Sequence, residues 1–411
     1  MHIGWERLAL RPSGVGFLVA IGAFALLYGP GFLAGALGSA NVTSPVFPST
    51  IARYSWYTGM LSSDRFAAAT LLYQNGVGVE FMDTPQSVLL SADGSTYRRL
   101  DEAESLSIAE DQGDPAVSVL SSDGTFVVTG SAGKTGEVHV LSLRDGHTRT
   151  ITVGARRTAL PIGIGADGRS VLLATSDDVV NRYAEGNTLG LARLDLDTGQ
   201  LRDYPAVKSV RAAALSPDGS RIVAASGRSA ELIDAVTGRV TATFEAPSDV
   251  SLDGDAWSPD GTMIAMVDRT AVAVVNVTGR HPVAHRLPLT GMVYGSAIGW
   301  RDKSTLLVHG VTDTSANTSE LYWVDVWTGK QTPVASYTPN FTGASLVGPD
   351  AARDLVPLWW IEQRPVDRGP LPLAIGSFLA LIVGSAGAGM TTIIRRHRAP
   401  TLPPQWGTWS R

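Results

Sequence analysis

"AALSPDGSRIVAAS", residues 213–226, sets a polar string between two apolar ones, and the role of its centre, Ser216-Pro217-Asp218-Gly219, decides the fold. Pro217 presets φ for a tight turn, Asp218 can accept hydrogen bonds from the amides that follow it, and Gly219 supplies a positive φ. The string therefore reads as a strand-to-strand turn rather than an isolated acidic site. Related strings recur: "SSDR" at Ser62, "SSDG" at Ser121, "GADG" at Gly165, "SPDG" at Ser258, "WRDK" at Trp300 and "GPDA" at Gly348. Short apolar runs follow them, among them "FAAATLLY", "FVVTG", "SVLLAT", "MIAMV", "TLLVHG" and "LVPLWW". On this reading Asp123, Gly124, Asp167, Gly168, Pro217, Asp218, Gly219, Pro259, Asp260 and Gly261 are structural turn residues.

Each unit closes with a second hairpin, as in "LARLDLDTGQLRDY" (191–204), "AELIDAVTGRVTATF" (230–244) and "LYWVDVWTGKQTPV" (321–334). Apolar alternation on either side of a Gly-containing turn is what a half-buried hairpin requires. Four strands per unit, at a period of about 40 residues, predict an all-β propeller. The pattern resembles the WD40-like propeller repeats of the TolB (PD40) type, whose blades carry "SPDG" turns and "D-x-x-TG" hairpins. That resemblance covers residues 55–361 and implies a fold, not a role, because such blades host many functions. Six full units and one half unit favour seven blades, the last completed by residues 41–54, over six.

The chain ends belong to a different environment. Residues 14–37 and 371–394 carry no charge, and roughly 20 apolar residues suffice to cross a bilayer. Arg7 and Arg11 precede the first run, and Arg395, Arg396 and Arg398 follow the second. By the positive-inside rule both termini are cytoplasmic. The predicted layout is a cytoplasmic N-terminus (1–13), a first span (14–37), a linker (38–54), an extracytoplasmic propeller (55–361), a linker (362–370), a second span (371–394) and a cytoplasmic tail (395–411). A cleaved leader is the alternative for the first run, given small residues at Gly38 and Ala40. The tail pairs Pro400, Pro403 and Pro404 with Trp406 and Trp409; these rings suit a lipid interface. The Ala/Gly/Arg-rich composition reads as bacterial, in which Asn-x-Ser/Thr acceptors at Asn41, Asn276, Asn317 and Asn340 carry no meaning.

The formal charge is −5; without the six arginines at the ends and Glu6, 27 basic and 37 acidic residues remain, about −10 between the spans. An acidic region of that kind argues against nucleic acid as a partner. With no cysteine, disulfides, thiol nucleophiles and Cys-type metal sites are excluded. No G-x-S-x-G nucleophile elbow occurs, the nearest string being "GRSAE" at Gly227. His281 and His285, four apart, would share one face of a strand, but no carboxylate lies beside them. Asp253 and Asp255 alternate in "SLDGDAWSPDG" without the distal glutamate of a calcium loop. No catalytic residue, metal site or cofactor is predicted.

Loop lengths choose a face. In a blade the first-to-second and third-to-fourth turns share one end, while second-to-third and blade-to-blade connections share the other. The regular turns mark the first end as scaffold. Irregular segments at 130–137, 175–190 and 311–320 are second-to-third connections, and concentrated loop variation marks a binding surface. The candidate ligand or partner face comprises Asp177, Asp178, Arg182, Tyr183, Glu185 and Asn187, with Arg156, Arg157, Lys208 and Arg211 from neighbouring blade connections. A chain that left the propeller from a second strand at Trp360 would tilt this face toward the bilayer. The expectation is a membrane-anchored, extracytoplasmic propeller that binds a protein partner near the membrane without chemistry of its own. The alternatives are a channel enzyme (hydrolase, lyase or quinone-dependent oxidoreductase) and a sensor signalling through the tail.

Overall fold

The computed structural model describes residues 45–78, 84–184, 187–246, 255–268, 271–279 and 281–369, with Ser385 alone beyond them. A short strand β1 (Val46–Pro48) precedes six radial sheets. Blade 1 is β2 (Ala69–Asn75), β3 (Gln86–Ser91) and β4 (Tyr97–Arg99), with β24 (Leu346–Ala351) added inside β2. Blade 2 is β5 (Val117–Leu120), β6 (Phe126–Gly130), β7 (Glu137–Ser142) and β8 (Thr148–Thr152). Blade 3 is β9 (Thr158–Ile164), β10 (Ser170–Ser176), β11 (Gly190–Asp195) and β12 (Leu201–Tyr204). Blade 4 is β13 (Ala212–Leu215), β14 (Arg221–Ser226), β15 (Ser229–Asp234) and β16 (Val240–Glu245).

Blade 5 holds β17 (Met263–Val267), β18 (Ala271–Asn276) and β19 (Val283–Pro288), and Trp257 bridges Ile264 on its inner side. Blade 6 is β20 (Tyr294–Asp302), β21 (Thr305–Asp313), β22 (Thr318–Asp325) and β23 (Gln331–Tyr337). A last strand, β25 (Trp360–Glu362), lies parallel to β1. The blades are therefore six, not the seven that the unit count favoured. The reason is β24: "GPDA" is not a turn opening a seventh unit but part of the strand that closes the ring on β2. Pro349 falls at a register shift in the β2–β24 pairing and has no partner residue on β2, so its missing N–H costs no ladder bond. Residues 46–54 build no blade either, and "LVPLWW" is a single 3₁₀ turn, Val356–Leu358, followed by β25.

Burial explains the sequence pattern. β14 and β17 are buried on both faces because blades pack against blades, so they read as runs; the outer strand β16 alternates exposed and half-buried positions. Six apolar clusters fill the six seams. The Trp257 indole donates to the Ala214 carbonyl one blade back (3.1 Å), and the Trp300 indole likewise reaches Ala256 (3.3 Å). Residues 46–54 plug the closing seam, where Phe47 stacks on Trp359 at 3.9 Å and the Tyr97 hydroxyl accepts the Ala52 amide.

The opening turn is held by its own side chains. Asp218 accepts the Ser216 hydroxyl (2.6 Å), the Ser220 hydroxyl (2.7 Å) and the Ser220 amide (3.1 Å). These bonds, the one from Ser216 foremost, bring its carboxyl down to about 2. Gly219 has φ +69°; at Gly124 (φ +72°) a Cβ would lie 2.0 Å from the Ala69 carbonyl oxygen, so only glycine fits.

Among the described residues no helix is long and apolar enough to cross a membrane. The two apolar runs, the tail and the start of the first linker lie outside them. The chain does not leave from the inner end of a second strand. Asp367 pairs with Thr96 at the rim of blade 1, running parallel to β4, and Gly59 then donates to the Arg368 carbonyl (2.6 Å). The tilt argued from Trp360 therefore loses its topological premise.

Candidate binding face and axial channel

The chain order of the strands places the β2–β3, β10–β11 and β21–β22 connections at one end of the ring, with every blade-to-blade connection. Asp177, Asp178, Arg182, Tyr183 and Asn187 come there from β10–β11, Arg156 and Arg157 from β8–β9, and Lys208 and Arg211 from β12–β13. Glu185 lies outside the described residues. Asp177, Asp178, Arg156, Lys208 and Arg211 are exposed. Arg157 instead turns inward to Asp203 (2.6 Å) and Thr175 (2.8 Å). Segment 311–320 is less irregular than its sequence implies, since β21 and β22 stay paired out to Asp313 and Thr318.

The 175–190 loop is fastened rather than free. Arg182 meets Asp111 and Asp114, each at 3.1 Å, and the Tyr183 hydroxyl donates to Asp114. Asp114 also accepts the Gly78 amide at 2.7 Å. Connections of blades 1, 2 and 3 thus converge on two carboxylates. Asp111 is fully buried, which raises its carboxyl pKa against the pull of the Ile108 amide and Arg182. Desolvation and the bond to Asp114 push the Tyr183 hydroxyl up to about 12. The Asn187 amide caps the loop by donating to the Asn181 carbonyl (2.7 Å), and the Thr158 hydroxyl holds the Asp178 carbonyl (2.8 Å).

Sequence reasoning missed Asp111 and Asp114. They sit in the connection from β4 to β5, which carries the short helix α1 (Asp101–Ser105) and a 3₁₀ turn at Ala109–Asp111. Its length, with no turn motif of the blade pattern, was the available signal.

A second polar group lies on the axis. Strands β5, β9, β13 and β24 and Asp255 line a cavity of about 210 Å³. Asp255 is buried there and paired with Arg353, whose Nε lies 2.6 Å from Oδ1. Burial raises the Asp255 carboxyl and Arg353 opposes the rise. Asp350 accepts the Leu120 amide (2.7 Å), tying the closing strand to blade 2. Asp253 lies outside the described residues. His281 precedes β19 instead of sharing its face with His285, so the two-histidine strand reading is corrected; both are exposed. Among the described residues no group of three His, Cys, Asp or Glu side chains could hold a metal ion.

Six radial sheets, closed by a C-terminal strand and enclosing a narrow polar channel, define a six-bladed β-propeller. The chain matches no family model and no curated protein. Among solved structures it is similar to Kuenenia stuttgartiensis hydrazine synthase (17% identity, 58% of this chain and 73% of that one, TM-score 0.38). It is also similar to a nidogen/laminin complex (14%, 70% and 99%, TM-score 0.45) and to Pyrococcus horikoshii acylaminoacyl peptidase (15%, 51% and 37%, TM-score 0.35). The blade count rests on the sheet topology, and no role is transferred from these likenesses.

Proposed function

We propose that this chain is a membrane-anchored, extracytoplasmic propeller of the TolB-like repeat type, bacterial by composition, that acts as a non-catalytic binding or scaffold module for a protein partner near the membrane. One observation carries the reading: the long blade 3 loop is fixed in place by Asp111 and Asp114, both buried, through the half-buried Arg182, leaving Asp177, Asp178, Arg156 and Lys208 exposed around it. A preformed surface of mixed charge loses little entropy on docking. The channel supports the same reading, because its cavity of about 210 Å³ falls below the usual roughly 300–1,000 Å³ of small-molecule sites, and its Asp255 and Arg353 neutralise each other.

The test uses the full-length protein in its native membranes. A photo-crosslinking residue replacing Asp178 or Lys208 is expected to capture a partner, whereas one replacing Asp197, at a hairpin turn, captures none. Adducts from Asp197 alone, or from none of the three, would overturn the assignment. Because the sequence has no cysteine, Asp178→Cys is a unique tag. It should react with a membrane-impermeant maleimide on intact cells; reaction only after lysis would place the propeller inside.

A further inference from the structure

The segment where the chain leaves the propeller carries a surface of unusual composition. Trp56 and Tyr57 are 47% exposed and Phe341 is 76% exposed; among the described residues Trp327 and Trp360 are also exposed, but Trp56, Tyr57 and Phe341 lie on segments that meet. Trp56 and Phe341 meet edge to face with centroids 5.8 Å apart. Their two segments are locked together, since the Asn340 amide donates to the Tyr54 carbonyl (3.0 Å). One cation lies over a ring, and a second, Arg53, is exposed in the same segment as Trp56 and Tyr57. The Arg368 guanidinium lies 5.9 Å from the Tyr57 ring centre and donates to the Arg53 carbonyl (2.9 Å). Among the described residues neither Arg53 nor Arg368 has a carboxylate partner.

The path of the chain supplies the occupant. Asp367 is hydrogen-bonded on both sides to the start of β4. Gly59 covers Arg368 and Gly369 so closely that a Cβ on Gly59 would fall 2.8 Å from the Arg368 carbonyl oxygen. The uncharged run begins at Leu371, two residues beyond Gly369 and hence within about 7 Å of it along the chain. If that run spans a bilayer, the rim carrying Tyr57 starts at the lipid interface. Exposed aromatic rings with arginines beside them are the composition that interface selects.

We propose that Trp56, Tyr57 and Phe341, with Arg53 and Arg368, form a lipid-contacting patch that seats the rim of blade 1 on an anionic membrane surface. This rests on the membrane-anchored reading above.

The experiment uses full-length protein carrying one introduced cysteine (Tyr57→Cys, Phe341→Cys, or Val236→Cys as an exposed apolar control at a hairpin turn), spin-labelled and reconstituted in phosphatidylcholine/phosphatidylglycerol vesicles. Labels at 57 and 341 are expected to collide with lipid-soluble oxygen in preference to a water-soluble nickel chelate, and the label at 236 to show the reverse. Preference at 57 should fall when phosphatidylglycerol is omitted; an unchanged preference would remove the arginines from the proposal. Alkaline carbonate extraction separates the two ideas. Protein that stays in the vesicles with labels 57 and 341 as wet as 236 overturns the patch and leaves the anchor standing. Protein that washes out overturns the anchor, and the patch with it.

Discussion

The hairpin turns and the axial channel both hold aspartates, and they differ in where the partners come from. Asp218 bonds to Ser216 and Ser220, each two positions away. Asp255 bonds to Arg353, 98 positions away, and at the connection end Asp114 bonds to Tyr183, 69 positions away. A local partner is close in sequence whatever the rest of the chain does, so the turn needs no other part of the ring to satisfy its aspartate. A remote partner exists only once the ring has closed, so the channel pair reports on closure itself.

Breaking the channel pair should have the largest effect. Arg353→Ala leaves Asp255 buried without its counter-charge, a change that costs about 3–5 kcal/mol where a buried pair loses one member. Unfolding of the full chain in detergent, followed by circular dichroism against urea, is the measurement. Replacing both residues, as Asp255→Leu with Arg353→Met, should recover most of the loss. A single-variant loss no larger than that of Asp218→Ala would show that the pair lies open to water and that the contrast drawn above is wrong.

His309 extends the contrast to a buried position whose Nε2 has no hydrogen-bond partner among the described residues. It is buried on β21 near the closing seam, its Nε2 without a hydrogen bond, and desolvation takes its pKa down to about 4. In the unfolded chain the imidazole titrates near its ordinary value of about 6.5. The unfolded state therefore binds the extra proton first as pH falls. The stability associated with neutral His309 is complete above about 6.5 and is lost as pH drops toward about 4, by about 3 kcal/mol in all. His309→Gln should flatten the melting temperature across that window relative to the unaltered chain. Equal slopes for the two proteins would mean that the histidine is hydrated in the folded state.

How much of this was legible follows from the same distances. Ser-Pro-Asp-Gly and Asp-x-x-Thr-Gly specify their own geometry, so the propeller and its strand order could be read from residues 213–226 and their repeats. The blade count was not legible, because Gly348-Pro349-Asp350-Ala351 has turn composition yet sits in a strand whose partner, β2, lies more than 270 positions earlier. Asp111, Asp114, Asp255 and Arg353 share no spacing in sequence; only the packing of one blade against others brings them to their partners. Arg182 and Tyr183 were singled out because their loop is long, while the contacts that fasten that loop come from a connection with no motif.

The smallest expected effect tests the other half of the contrast. In Asp218→Ala the turn loses three accepted hydrogen bonds, but Pro217 and Gly219 still set its backbone angles, and the exposed site lets water satisfy the Ser220 amide. A capping side chain of this kind is worth about 1 kcal/mol, which a propeller with six apolar seams tolerates. The variant should therefore fold, with a slightly lowered urea midpoint, and keep full crosslinking from position 178. The equivalent change at Asp260, which accepts from Ser258 and Thr262 in the same manner, should have the same size. Similar losses at the two sites would mark the turns as interchangeable scaffold. A folded Asp218→Ala protein that no longer captured its partner would instead place a binding surface at the turn end, and the division of labour between the two ends of the ring would have to be reversed.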